Sequence, residues 1–336
     1  MISIVVPLFN EQDSLLELVR QIENAIASDQ LGEYELLFVD DGSKDKSWGV
    51  IEKLCAEKPS VQGIRFRRNF GKAAALSAGF SVAKGEYIVT MDADLQDDPS
   101  ELKPLVDKLN SGYDVVSGWK QTRYDPWHKR WPSLVFNGIL RSFTSLNLHD
   151  FNCGLKAYRN EVLREVNLYG EMHRFIPVLA AARGFRVTEI AVKHHPRVHG
   201  YSKYGVSRIL KGFLDLFTVV FLTRFRYRPQ HLLGGLGVVA CAVAGILLLG
   251  LITAWIGTRV VAGLEPIHLH ERAIFYLAMV LFLVGLQMIG VGLLAELVVA
   301  NAGGREVPYS ISQHTNKIDS SNHLEIYDSE RAKVST

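Results

Sequence analysis

Apolar residues form short unbroken runs through the first two hundred positions and two long runs after position 230. Ile2-Ser3-Ile4-Val5-Val6, Leu36-Leu37-Phe38-Val39 and Tyr87-Ile88-Val89-Thr90-Met91 read as buried strands. Such runs suit parallel strands that are covered on both faces. Between them, residues 13–26 put Leu15, Leu16, Val19, Ile22 and Ile26 on one helical face, and residues 45–56 and 72–84 repeat the period. This alternation predicts an α/β fold around an open, Rossmann-like, mostly parallel sheet. Ligands of such sheets bind beyond the carboxyl ends of the strands. Each strand here ends in a polar cluster, at residues 7–11, 40–43 and 92–96, and the three are expected to share one crevice.

The later runs are different. Residues 232–258 and 273–295 carry no charge, and each is long enough to cross roughly 30 Å of hydrocarbon. They predict a hairpin of two transmembrane helices. Arg224, Arg226 and Arg228 precede the first run and Arg305 follows the second, so both ends are expected on the cytoplasmic side. Residues 204–227 mix Ile209, Phe213, Phe217 and Phe221 with Arg208 and Lys211, the pattern of helices lying in the membrane interface or packed on the soluble part. The expected organisation is therefore an α/β domain over 1–203, interfacial helices over 204–230, two spans over 231–300 and a polar tail over 301–336. Gly245, Gly250, Gly285, Gly290 and Gly292 leave close helix contacts open, and with them a homo-oligomer.

Composition sharpens this picture in three places. Charged residues are only 21% of the 336, and the apolar excess sits in the long runs. The net charge of +2 gives no reason to expect nucleic acid as a partner. Cys55, Cys153 and Cys241 are too far apart in sequence for a metal or redox motif, which suits a reducing compartment. The opening stretch MISIVVPLFN has no basic region and is cut by Pro7, so it does not read as a signal peptide.

The strand-end clusters carry the chemistry. Asp92 and Asp94 can share a divalent ion, Mg²⁺ or Mn²⁺, with Gln96 as a neutral oxygen ligand; hard cations of this kind bridge protein oxygens to a pyrophosphate. In Asp40-Asp41-Gly42-Ser43 one carboxylate can cap the following turn while the other receives a base or ribose. Phe9 can wall a base, and Glu11 can accept hydrogen bonds. Arg65, Arg67, Arg68 and Lys72 either neutralise phosphates or decorate a solvated strand edge. The basic loop containing His194, His195, Arg197 and Lys203 suits a phosphate clamp or anionic headgroups. A dinucleotide-dependent dehydrogenase is disfavoured, since no G-x-G-x-x-G follows the first strand.

VVPLFNE (5–11), VDDGSKD (39–45), RNFGKAAALSAGF (68–80), MDADLQDDP (91–99), DFNCGLKAYR (150–159) and GYSKYG (200–205) together resemble glycosyltransferase family two. Within it the chain is similar to the polyprenyl-phosphate glycosyltransferases, bacterial undecaprenyl-phosphate enzymes and dolichol-phosphate mannose synthases among them, over about residues 1–305. The resemblance implies a GT-A-type fold and an inverting transfer from a nucleotide sugar to polyprenyl phosphate at a bacterial plasma membrane, with UDP-glucose the expected donor and GDP-mannose the alternative. It implies that Pro7, Phe9, Glu11, Val39 and Asp41 hold the nucleoside, that Asp92, Ala93 and Asp94 sit at the ribose and pyrophosphate, and that Asp94 and Gln96 hold the metal. Arg197 and Lys203 correspond to phosphate-binding residues, and Asp150 stands where the wider family places a base. Mannose synthases have an arginine where this chain reads Ser117-Gly118-Trp119-Lys120, so Lys120 or Arg123 takes its place. Processive synthases carry a Gln-x-x-Arg-Trp motif; here Trp127 precedes Arg130-Trp131, which favours a single transfer. A non-catalytic membrane scaffold is the rival from another class, and the intact carboxylates oppose it.

Overall fold

The computed structural model describes residues 1–121, 146–166, 172–196, 228–261 and 265–302, with single positions at 138, 140, 141, 144, 217–219, 221, 223 and 225. It divides into two units, residues 1–223 and 224–336. The expected interfacial segment over 204–230 falls largely outside the described residues. Where it is described, Val219 is buried in the first unit's core and Phe217 is exposed.

Seven strands form one sheet in the order β3-β2-β1-β4-β6-β5-β7. They are β1 Ile2–Leu8, β2 Tyr34–Asp40, β3 Val61–Arg65, β4 Tyr87–Thr90, β5 Val115–Lys120, β6 Lys156–Arg159 and β7 Val187–Val192. All run parallel except β6, which is antiparallel to both β4 and β5. That reversal brings the start of β6 to the same edge as the carboxyl ends of the other strands. The helices are α1 Leu15–Ser28, α2 Ser47–Glu57, α3 Lys72–Val82, α4 Leu102–Asn110, α5 Asn160–Glu165 and α6 Ile176–Ala182.

Strand β1 shows why the runs are apolar throughout. Ile2, Ile4, Val6 and Leu8 face one core with α1 and α4, while Val5 faces the other with α3. In α1 the buried stripe is Leu15, Leu18, Val19, Ile22, Ala25 and Ile26. Leu16 corrects the sequence expectation: it lies outside that stripe and is 63% exposed. Helix α3 meets the sheet largely through small residues, Ala75 and Gly79 beside Leu76. A Cβ at Gly79 would stand 2.4 Å from Val5 Cγ1, so only glycine permits this approach.

The second unit is a helical hairpin, α7 Pro229–Val260 and α8 Ala273–Ala302, both long and apolar enough to cross a membrane. Large apolar side chains such as Val239, Ile246, Leu249, Leu283 and Leu294 are exposed. The helices meet through small residues. A Cβ on Gly237 would lie 2.6 Å from the Gly285 carbonyl oxygen, and one on Gly285 would lie 2.8 Å from that of Gly237. The Gln230 N–H donates to Glu296 Oε2 at 3.2 Å, closing the ends of the hairpin. Gly245, Gly250 and Gly290 face open space.

Candidate active site

The loops after β1 and β2 are tied together by polar groups. The Asn10 N–H donates to Ser43 Oγ at 2.8 Å, the Glu11 N–H to Ser47 Oγ at 2.9 Å, and the Lys44 N–H to Asn10 Oδ1 at 2.8 Å. Asn10 holds a left-handed backbone to do this, at φ 55°. Phe9 and Glu11 stand half-buried at the rim of the crevice. Pro7 is paired in register with Val39, which lies between β1 and β3 with its side chain in the core against α3.

The two aspartates of the β2 turn divide their tasks. Asp40, fully buried, accepts the Ser43 N–H at 2.8 Å and faces Arg65 Nε at 3.6 Å. Asp41 takes the N–H groups of Phe70 and Gly71 at 2.6 and 2.9 Å, and so fixes the start of α3. Burial raises the Asp41 carboxyl from its ordinary value, against the pull of those two donors. Gly42 is required directly after them: at φ +74° its absent Cβ would lie 2.6 Å from the Arg68 carbonyl carbon. A hollow of about 290 Å³ lined by Gly42, Ser43, Arg65, Phe66 and Arg67 opens beside this turn.

Past β4 the acidic run meets lysines. The Lys72 ammonium, at the first turn of α3, is bonded to Asp92 Oδ1. Lys120, the last residue of β5, pairs with the buried Asp97 at 2.8 Å. The Asp92 N–H reaches Asp97 Oδ2 at 3.2 Å, which links the two pairs. Burial pushes the Asp92 carboxyl up, but Lys72 above all, then Lys120 and His173, hold it at about 2. Burial likewise opposes the charge on Lys120, and Asp97 outweighs it and holds that ammonium well above its usual range. Ala93 is buried in the core, and Asp94 Oδ1 accepts the Gln96 N–H at 3.3 Å. The Gln96 carbonyl accepts the His195 N–H at 2.9 Å and lies 3.1 Å from His194 Nδ1, and its side-chain amide donates to the His195 carbonyl at 3.4 Å.

The loop before β6 closes the crevice. Asp150 is buried and accepts the Asn152 N–H at 3.0 Å, shaping the turn that leads to Gly154. A Cβ on Gly154 would lie 2.5 Å from Asp92 Oδ2, so the bare backbone walls that carboxylate. Beneath it Lys156, also buried, donates to the carbonyls of Phe151, at 3.2 Å, and Cys153. Burial lowers the Lys156 ammonium from its ordinary value and pushes the neighbouring Cys153 thiol up to about 12, so that thiol is unreactive.

Asp41, Asp92, Ala93, Asp94, Gln96, Lys120 and Asp150 thus lie at one edge of the sheet, with the loop of Phe9 and Glu11. Arg123, Arg197 and Lys203 fall outside the described residues. Asp97, Lys156, Gly154 and His173 are site residues that the sequence pattern missed. Lys156 opens β6, Lys-Ala-Tyr-Arg, a strand whose own pattern gives no sign of a site. Among the described residues, no three His, Cys, Asp or Glu side chains converge into a closed metal cage. Two carboxylates and an amide still fit Mg²⁺ or Mn²⁺ as a half-site, because such ions bind through one or two carboxylates and complete their shell with substrate phosphates and water.

Residues 3–166 match the model of Glycosyl transferase family 2. The chain is 38% identical over 303 residues to a dodecaprenyl-phosphate galacturonate synthase of Rhizobium johnstonii, covering 88% of this chain and 87% of that protein. It is 37% identical over 298 residues to an undecaprenyl-phosphate 4-deoxy-4-formamido-L-arabinose transferase of Edwardsiella ictaluri, with 88% and 87% covered. Among solved structures, glucosyl-3-phosphoglycerate synthase of Mycobacterium tuberculosis, crystallised with Mn²⁺, UDP and phosphoglyceric acid, superposes with a TM-score of 0.50 at 16% identity, over 66% of this chain and 78% of that one. That likeness is one of fold, the GT-A arrangement.

Proposed function

From the premise that the chain belongs to glycosyl transferase family 2, alongside the polyprenyl-phosphate sugar transferases, we propose that it moves one sugar from a UDP-sugar to a polyprenyl phosphate of the undecaprenyl type. The observation that carries this reading is the meeting of Asp92, Asp94 and Gln96 with Lys72 and Lys120 at one edge of the sheet, a place suited to a diphosphate. Phe9, Glu11 and the Asp41 turn receive the nucleoside, beside the hollow at Gly42 and Arg67. Asp94 and Gln96, with Asp92, would hold Mg²⁺ or Mn²⁺, which would supply charge neutralisation for the departing diphosphate.

An oxygen of the lipid phosphate attacks the anomeric carbon, the bond from that carbon to the diphosphate oxygen breaks, and UDP leaves with the bonding pair. The configuration inverts. A phosphate monoester has its second pKa at about 6, so the nucleophile is already ionised at neutral pH and needs no strong base. We therefore give Asp150 a positioning role: it shapes the loop that sets Gly154 against Asp92 and orients what binds there. Lys120, Arg197 and Lys203 neutralise phosphates. If Asp150→Asn abolished turnover while donor and lipid still bound, a base role would replace this one.

Helices α7 and α8 are assigned as spans, with the catalytic unit cytoplasmic, on the strength of the arginines before α7 and Arg305 after α8. A single cysteine placed between α7 and α8, within 261–272, in a chain lacking its own cysteines is expected to react with an impermeant reagent from outside the cell. Labelling only after the membrane is opened would reverse the orientation.

The deciding experiment is a transfer assay with full-length protein in detergent, undecaprenyl phosphate and Mn²⁺ or Mg²⁺. The donors are UDP-glucose, UDP-galacturonate, the UDP-linked formamido-arabinose and GDP-mannose. Label entering the organic phase from one UDP-sugar, and lost in Asp94→Ala, is the expected result and names the sugar. Transfer from GDP-mannose alone would move the enzyme to the mannose synthases. No transfer from protein that binds UDP would favour a binding scaffold.

A further inference from the structure

Two lysines neutralise the acidic strand end, and they are not equivalent. The Lys120 ammonium sits on Asp97, whose side chain is wholly buried, and that pair is built into the sheet edge. Lys72 meets Asp92 where both side chains keep contact with solvent, at 26% and 34% exposure. Its backbone is fixed, because Asp41 holds the N–H groups of Phe70 and Gly71 immediately before it. Its four-carbon stem gives the ammonium reach beyond Asp92 from that anchor. The Asp92 carboxylate has little freedom to turn away, since the Gly154 backbone lies against Oδ2. A divalent ion approaching Asp92 therefore meets the Lys72 ammonium on the same carboxylate, and like charges within a few ångströms oppose one another.

We propose that Lys72 is an exchangeable counter-cation: it neutralises Asp92 in the free enzyme, is displaced when a divalent ion binds, and then carries its charge to the diphosphate of the donor. This rests on the reading of the crevice as a metal and nucleotide-diphosphate site. Its consequence is that metal alone binds poorly and that metal and nucleotide load together. Because linkage is reciprocal, Mn²⁺ and UDP raise each other's affinity by one common factor, and Lys72 contributes to that factor.

The test is a titration of full-length protein in detergent. Bound Mn²⁺ is followed by loss of the free-ion electron paramagnetic resonance signal, with and without UDP, in wild type, Lys72→Met and Lys72→Gln. Thermal melting checks that each variant is folded, and either variant suffices. Removing one neighbouring like charge is expected to tighten Mn²⁺ binding in the absence of UDP by about tenfold. Binding of UDP in the presence of Mn²⁺ is expected to weaken, so that the mutual enhancement shrinks. Folded variants whose affinity for Mn²⁺ alone is unchanged or weaker overturn the exchange. Wild type that takes up neither Mn²⁺ nor UDP overturns the reading of the crevice itself, and the exchange with it.

Discussion

At Gly154 the chain has no room for a side chain, and the reason is chemical as well as steric. A methyl group there would stand 2.5 Å from Asp92 Oδ2 and 2.8 Å from its Cγ. Gly154→Ala is expected to push the carboxylate off its place beside Lys72 while leaving the sheet intact. Misplacement by about an ångström costs on the order of a hundredfold in rate. A transfer assay beside a melting curve separates that outcome from simple unfolding, and near-normal turnover would show that Asp92 tolerates the shift. Asp92 itself makes a pH prediction. Its folded value of about 2 is below the unfolded value of about 3.9. The ionised form therefore contributes stability that is complete above about pH 4 and fades as pH falls towards 2. Lys72→Met removes the main cause of the depression. The melting temperature of that variant should lie a few degrees under wild type at neutral pH, and the gap should close only as pH falls to about 2 and below, where wild type too carries a neutral Asp92. A gap that stays constant through the acid limb would mean that Lys72 acts by packing alone.

Among the elements, α3 links the two halves of the site. Asp41 at the end of β2 holds its first turn, and Lys72 in that turn reaches Asp92 at the end of β4. Asp41→Ala removes two charge-assisted hydrogen bonds at once. It should lower UDP affinity by about tenfold or more and cost stability of about 1–3 kcal/mol. Unchanged UDP affinity with a lowered melting temperature would reduce Asp41 to a scaffold residue. Much of this arrangement can be read in the chain: apolar runs located β1, β2 and β4, and periodicity located α1, α2 and α3. The polar strand ends then followed from the rule for open sheets. What periodicity does not carry is the pairing of distant positions. Lys72 and Asp92 are 20 residues apart, and Gln96 and His194 are 98 apart. Lys156 was invisible as a site residue because only the antiparallel reversal of β6 brings it to the reactive edge. Leu16 failed for the opposite reason, since apolar character alone says nothing of angle.

At the scale of the whole chain, two units with separate cores imply separable properties. Residues 1–223 contain the sheet, its helices and every described residue of the crevice, and Val219 near the end of this unit is buried among Leu140, Phe151 and Phe175. The hairpin is held by its own glycine contacts and by Gln230 with Glu296. A chain ending at Thr223 is therefore expected to fold and to bind UDP with Mn²⁺ to within about twofold of full length, as an independent domain does. It should also lose the detergent requirement that the exposed apolar surface of α7 and α8 imposes on the full chain. Ending the chain before Val219 should instead open the core around Phe151 and Phe175 and lower the melting temperature, since deleting a buried aliphatic group leaves a cavity that costs about 1–3 kcal/mol. Calorimetric UDP titrations on the two truncations decide the matter. If the longer one melts cooperatively yet no longer binds UDP, the crevice needs something supplied after Thr223, and the catalytic unit must be redrawn to include the first span.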